Sequence, residues 1–169
     1  GRKIYGGLQS RSPIGTHNSR PIDGSVLFDA TRMRLSDSLL KDRDFSHAVI
    51  LYAEPQIDKC KADPQRTYAI NVASTRRVID DLVARDVKPI FISSEYVFDG
   101  YKGDYSEEDH TNPNTVYGSH KVEIERYLEK NCRDYAVLRL AKVFGTDPED
   151  GSILGGWLNQ IRKGEEILC

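Results

Sequence analysis

The sequence predicts an α/β protein with a doubly wound, mostly parallel sheet, on three observations. Several short runs are apolar on successive residues, as strands covered by helices on both faces require. The longer segments between them carry apolar residues at helical spacing, the alternation expected of β-α-β units. Finally, one run ends in serines and is followed by Tyr-x-x-x-Lys at a predicted helix start, so polar chemistry is grouped at a strand's carboxyl end, where open α/β sheets bind ligands.

Taken in order, Lys3-Ile4-Tyr5-Gly6-Gly7-Leu8 reads as a strand, and Ser10 to Asp23, rich in turn formers, as a long loop. Val26-Leu27-Phe28-Asp29 and Ala48-Val49-Ile50-Leu51-Tyr52 are the next strands. Asp63-Pro64 opens a helix whose apolar residues Ala69, Val72, Val78, Ile79, Leu82 and Val83 share a face, ending near Arg85-Asp86. Ile90-Phe91-Ile92-Ser93 is a further strand, and Asn114 to Lys130 a helix with Tyr117, Lys121, Ile124 and Leu128 on one stripe and Asn112, Asn114 or Thr115 as its cap. Tyr135-Ala136-Val137-Leu138-Arg139 and a helix from Ser152 to Arg162 complete the pattern, without repeats or an interdomain linker.

Bulk properties exclude several classes. A chain of 169 residues with 38% hydrophobic content can bury one core, and no run reaches the roughly 20 apolar residues of a spanning helix. No secretory signal opens the sequence, so a cytoplasmic protein is expected. Cys60, Cys132 and Cys169 are widely spaced and read as reduced thiols. His17, His47, His110 and His120 show no ligand spacing and read as surface or cap residues, so no metal is expected. A formal charge of −2 gives no general attraction to nucleic acid, and the acidic run Asp104 to Asp109 reads as a solvated loop.

Ser93-Ser94, then Tyr117-Gly118-Ser119-His120-Lys121, supply a hydroxyl, a phenol and an ammonium, a set suited to carbonyl reduction. Spacing of four places Tyr117 and Lys121 on one helix face, where the ammonium would lower the phenol's pKa toward neutrality.

Ser93-Ser94-Glu95-Tyr96-Val97-Phe98-Asp99-Gly100 and Pro113-Asn114-Thr115-Val116-Tyr117-Gly118-Ser119-His120-Lys121 resemble the extended short-chain dehydrogenases, in particular the dTDP-4-dehydrorhamnose reductase branch. Ala53 through Asp58-Lys59, Asn71, Leu138-Arg139 and Val143-Phe144-Gly145 resemble weaker landmarks of that family. The resemblance implies a Rossmann-like domain and NAD(P)-dependent reduction of a keto group on a nucleotide-activated sugar, as in polysaccharide biosynthesis, with neither membrane nor nucleic acid as partner and a homodimer as the assembly. It implies Tyr117 as proton donor, Lys121 as its cofactor-binding partner and Ser94 as the hydroxyl that polarises the carbonyl. Asn71 would order the site, Asp29-Ala30 and Ala53-Glu54 would line the adenine and ribose pocket, and Glu95 would face the sugar.

No Gly-x-x-Gly-x-x-Gly follows an opening strand. Aligning Lys3 to Gln9 with the family's second strand therefore implies that residues 1–169 are a partial domain, without the first strand, the glycine-rich loop and most of the sugar-binding lobe. On that alignment Gln9-Ser10-Arg11 carries no acid, and Arg11 would favour NADP over NAD. Arg139-Leu140-Ala141-Lys142 departs from the branch's usual Arg-Thr-Ser-Trp, so the expected substrate is a nucleotide sugar rather than the rhamnose precursor specifically. Alternatives are an epimerase, which uses the same Tyr and Lys, and a non-catalytic NADP-binding regulatory subunit like that of methionine adenosyltransferase.

Overall fold

The computed structural model describes residues 2–141, 143 and 153–166. Lys142, Phe144, Gly145, Ser152 and Cys169, named above, lie outside the described residues. The chain divides into two compact units, Gly1–Arg139 and Leu140–Cys169.

The first unit opens with helix α1 (Arg2–Gly7) and a 3-10 turn at Gln9–Arg11, where the sequence predicts a strand. Ile4-Tyr5 and Leu8 suit either period, and packing decides: Gly15 and Gly24 lie against the Tyr5 ring, so close that a Cβ on Gly15 would stand 3.0 Å from Tyr5 Cε2. The predicted long loop instead holds strand β1 (Thr16–His17), which pairs in parallel with β2 (Val26–Leu27). Strand β3 (His47–Ile50) pairs in parallel with β4 (Lys88–Ser94), Ile50 opposite Phe91, and β5 (Ala136–Leu140) lies on the other side of β4. The strands thus form two sheets, β1-β2 and β3-β4-β5.

After β3 come α2 (Ile57–Ala62) and α3 (Pro64–Tyr68), then a π-helical turn at Ala69–Ala73 that runs into α4 (Ser74–Val83). Asp63 caps α3 by accepting from Arg66 N, with Pro64 at the first helical position. Helix α5 (Val116–Asn131) starts at Thr115, whose Oγ1 accepts from Gly118 N at 3.0 Å. Val72, Ile79, Leu82, Phe91, Ile124 and Leu128 form the centre of the core, between α4, α5 and β4.

Pro89, Phe91 and Ser93 are buried beneath these helices, whereas Ile90 and Ile92 are half-buried, Val49 is 36% exposed and Leu138 46% exposed. Burial therefore alternates along strands whose composition predicts cover on both faces. In the second unit, α6 (Ile153–Lys163) ends at Gly164 (φ 71°), with Gly164 N donating to Ile161 O and Glu165 N to Gln160 O. Among the described residues no helix is long and apolar enough to cross a membrane.

Candidate active site

The end of β4 and the start of α5 meet through a glycine. A Cβ on Gly118 would stand 2.0 Å from Tyr96 O and 3.0 Å from Pro113 Cβ. Only a residue without a side chain lets α5 press its first turn onto the 3-10 turn Glu95–Val97. That contact places the Tyr117 ring edge-on to Tyr96, with centroids 6.1 Å apart.

Tyr117 is 9% exposed and Lys121 6%. Lys121 Nζ donates to Ile92 O at 2.7 Å and lies 5.4 Å from the Tyr117 ring centroid and 4.6 Å from that of Phe91. Burial lowers its pKa to about 8, opposed by the Glu125 carboxylate. The phenol moves opposite to the sequence-based expectation: burial first, then Glu95, push Tyr117 up to about 12. The ammonium is directed at a backbone carbonyl and the ring, so burial and the nearby carboxylate dominate the phenol.

The two serines diverge. Ser93 Oγ donates to Glu125 Oε1 at 2.5 Å, toward α5. Ser94 Oγ donates to Glu95 Oε2 at 2.7 Å and accepts from Tyr96 N, capping the 3-10 turn. Ser94 and Glu95 are therefore brought together with the Tyr96 and Tyr117 pair at the carboxyl end of β4.

Asn71, on the π-helical turn, brings a third element in. Its Oδ1 accepts from Glu54 N at 2.7 Å and its Nδ2 donates to Glu54 O at 3.1 Å, fixing the Ala53-Glu54 segment after β3. The same Nδ2 lies 3.3 Å from His120 Nδ1 on α5. His120 is thus a buried residue rather than the surface or cap residue its spacing suggests, and burial lowers its pKa. Asn71 Nδ2 and Glu54 O also face the buried thiol of Cys60.

Asp29 and Ala30 follow β2. The Asp29 carboxylate accepts from Thr31 N and Oγ1, and the Thr31 hydroxyl is the largest cause of its lowered pKa. Arg77 on α4 donates to Ala30 O and Thr31 O, so this segment is tied to α4 as Ala53-Glu54 is tied to Asn71. Arg11 is not brought to a strand end; it is exposed in the 3-10 turn before β1. The residues that leave β1 are Asn18-Ser19-Arg20, all exposed, so Arg20 follows β1 as Arg11 was expected to follow the strand aligned at Lys3 to Gln9.

The helical pattern puts Glu125 on the water-facing side of α5, but the carboxylate is buried, accepting from Ser93 and Arg139; Gly118 carried no expected role. Gly118 was detectable as a glycine at a predicted helix start. Glu125 carried the i,i+4 spacing to Lys121 as its signal, and His120 carried none. Among the described residues, no group of three or more His, Cys, Asp or Glu is placed to hold a metal.

The parallel α/β sheet, with Ser94, Tyr117 and Lys121 near the carboxyl end of β4, has the arrangement that the resemblance to the extended short-chain dehydrogenases implies. Residues 16–167 match the model of the RmlD substrate binding domain, and the chain belongs to that family. It is 36% identical over 104 residues to methionine adenosyltransferase 2 subunit beta of Bos taurus, covering 60% of this chain and 31% of that protein. A solved structure described as a hypothetical dTDP-4-dehydrorhamnose reductase from Sulfolobus tokodaii is 32% identical, with a TM-score of 0.77 over 85% of this chain and 52% of that one. A short-chain dehydrogenase/reductase superfamily protein from Agrobacterium tumefaciens, solved with bound NAD, shares the fold at 23% identity and a TM-score of 0.75, covering 97% of this chain and 56% of that one. The chain thus spans about a third of that curated relative and about half of these solved structures.

Proposed function

We propose that this chain belongs to an NAD(P)-dependent reductase acting on the keto group of a nucleotide-activated sugar. The observation that carries the reading is the convergence of Ser94, Tyr117 and Lys121 at the carboxyl end of β4, with Lys121 Nζ held by Ile92 O and α5 seated on Tyr96 through Gly118. Family membership and the likeness to the Sulfolobus protein support the sugar-nucleotide class.

A dinucleotide fits the residues present in two places. The segments Asp29-Ala30 and Ala53-Glu54, each fastened to the α4 side, form a fixed floor for adenosine, and Arg20 after β1 supplies a cation for a 2′-phosphate in place of Arg11. Lys121 can reach a ribose hydroxyl beside Tyr117. When bound, the reduced nicotinamide supplies the hydride to the carbonyl carbon. Tyr117 then gives its proton to the carbonyl oxygen. Lys121 stabilises the resulting phenolate. Ser94 exchanges its bond to Glu95 for one to the substrate oxygen, freeing the Glu95 carboxylate for a sugar hydroxyl. Two free, buried cysteines, Cys60 and Cys132, suit the reducing cytoplasm, the setting this reading assigns.

Tyr117→Phe in the full-length protein tests the assignment. Turnover of a dTDP-4-keto sugar with NADPH should fall by about a hundredfold or more with folding unchanged; near-normal turnover would overturn it. A second reading, a dinucleotide-binding partner of a methionine adenosyltransferase, is favoured by the 36% identity to such a subunit and by the resting Ser94 bond to Glu95. Co-purification with a synthetase, together with no turnover of any nucleotide sugar, would select it.

A further inference from the structure

A charged trio lies behind the site, the buried Lys121 and Glu125 with the half-buried Arg139. Glu125, one turn beyond Lys121 on α5, receives Arg139 of β5 along two edges: Nε at 3.2 Å from each carboxylate oxygen, and Nη2 at 2.7 Å from Oε2. Ser93 Oγ completes its set of donors. Arg139 is anchored in turn by Nη1 to Glu107 O at 3.3 Å and by the face of the Phe98 ring, 5.2 Å away. Spaced four apart on one helix, Lys121 and Glu125 are natural ion-pair partners. Yet Lys121 Nζ bonds to Ile92 O, while Arg139 holds the carboxylate with the planar two-pronged geometry that a lysine cannot match.

We propose that Arg139 is a positioning residue: by occupying Glu125 from β5 it keeps the Lys121 ammonium directed at Ile92 O and the Tyr117 ring. The catalytic consequence rests on the role assigned to Lys121 above, but the geometry does not. The groups that bear on this position are Tyr117, His120 and Glu125 from α5, Glu95 and Tyr96 beyond β4, Cys60 from α2, and Arg139 from β5. Of these, Glu125 is the carboxylate that acts on Lys121 and Arg139 the cation that competes for it.

The test is the titration of the Lys121 ammonium, followed by nitrogen-15 NMR of lysine-labelled full-length protein and read beside kcat and the cofactor KM. In Arg139→Met the freed carboxylate should draw Lys121 to itself, raising its proton affinity by about tenfold or more. Misplacement of the ammonium should lower kcat on the order of a hundredfold. In Glu125→Gln with Arg139→Met, neither charge remains, and both quantities should return to within about threefold of the parent. An unchanged titration in R139M, or a folded double variant as impaired as the single one, would overturn the proposal. Should R139M fail to fold, the double variant decides alone: restored turnover supports the proposal, and a loss of about tenfold or more refutes it. If no nucleotide sugar is turned over, the reductase reading fails, while the titration still tests the role of Arg139.

Discussion

Gly118 lies against the backbone carbonyl of Tyr96, at a separation where even a methyl group would stand 2.0 Å from the oxygen. Gly118→Ala must therefore push α5 off the 3-10 turn and carry Tyr117 with it. Overpacking of this kind costs about 1 to 3 kcal/mol, so chemical denaturation should show that loss. Turnover should fall by more than stability explains, because the phenol leaves the β4 end. An alanine variant with parental stability and activity would show that the close approach is dispensable.

Lys121 sets a pH window. Its folded-state pKa is lowered to about 8 from 10.5, so between those values the unfolded chain binds more protons than the folded one, and this group's contribution to stability rises with pH across the interval. Tyr117, raised from 10.0 to about 12, works in the opposite sense, and its contribution is lost as pH climbs between them. If a charged Lys121 is needed for reduction, kcat should decline above about pH 8. A flat kcat profile from pH 7 to 10 would contradict the role of the ammonium.

Both ends of the Asn71 amide bond to Glu54, and its Nδ2 also lies against His120 on α5. Asn71→Ala leaves the part-buried Glu54 N and O without these partners, at a cost of about 1 kcal/mol. Because Ala53-Glu54 forms part of the proposed adenosine floor, dinucleotide affinity measured calorimetrically should fall along with stability. Asn71→Ala with unchanged affinity would separate the clamp from the cofactor site.

Arg20 and Arg11 make a paired prediction. A charged hydrogen bond to a 2′-phosphate is worth about 1.5 to 3 kcal/mol. Arg20→Ala in the full-length protein should thus weaken NADP by roughly ten- to a hundredfold while leaving NAD unchanged, and Arg11→Ala should affect neither. Equal effects on NADP and NAD would remove the 2′-phosphate from the argument.

What the sequence by itself determined was local and periodic. Strands β3, β4 and β5 fall on the short apolar runs, and α5 on the stripe of Tyr117, Lys121, Ile124 and Leu128, because strand and helix periods are written in neighbouring residues. The placing of Tyr117 and Lys121 on one face of α5 was legible for the same reason, whereas Ser94 meets them only through the seat of α5 on the end of β4. Tertiary structure decided whatever depends on residues far apart in the chain. Ile4-Tyr5-Gly6-Gly7 fits two periods, and the seat of Tyr5 on Gly15 and Gly24 made it a helix, which moved the strand to Thr16–His17 and the candidate cation from Arg11 to Arg20. Spacing puts Lys121 near Tyr117, but burial and Glu95 set the direction in which the phenol moves. The partner of Glu125 comes from β5, and proximity across the sheet, which composition does not encode, gives that carboxylate to Arg139 rather than to Lys121.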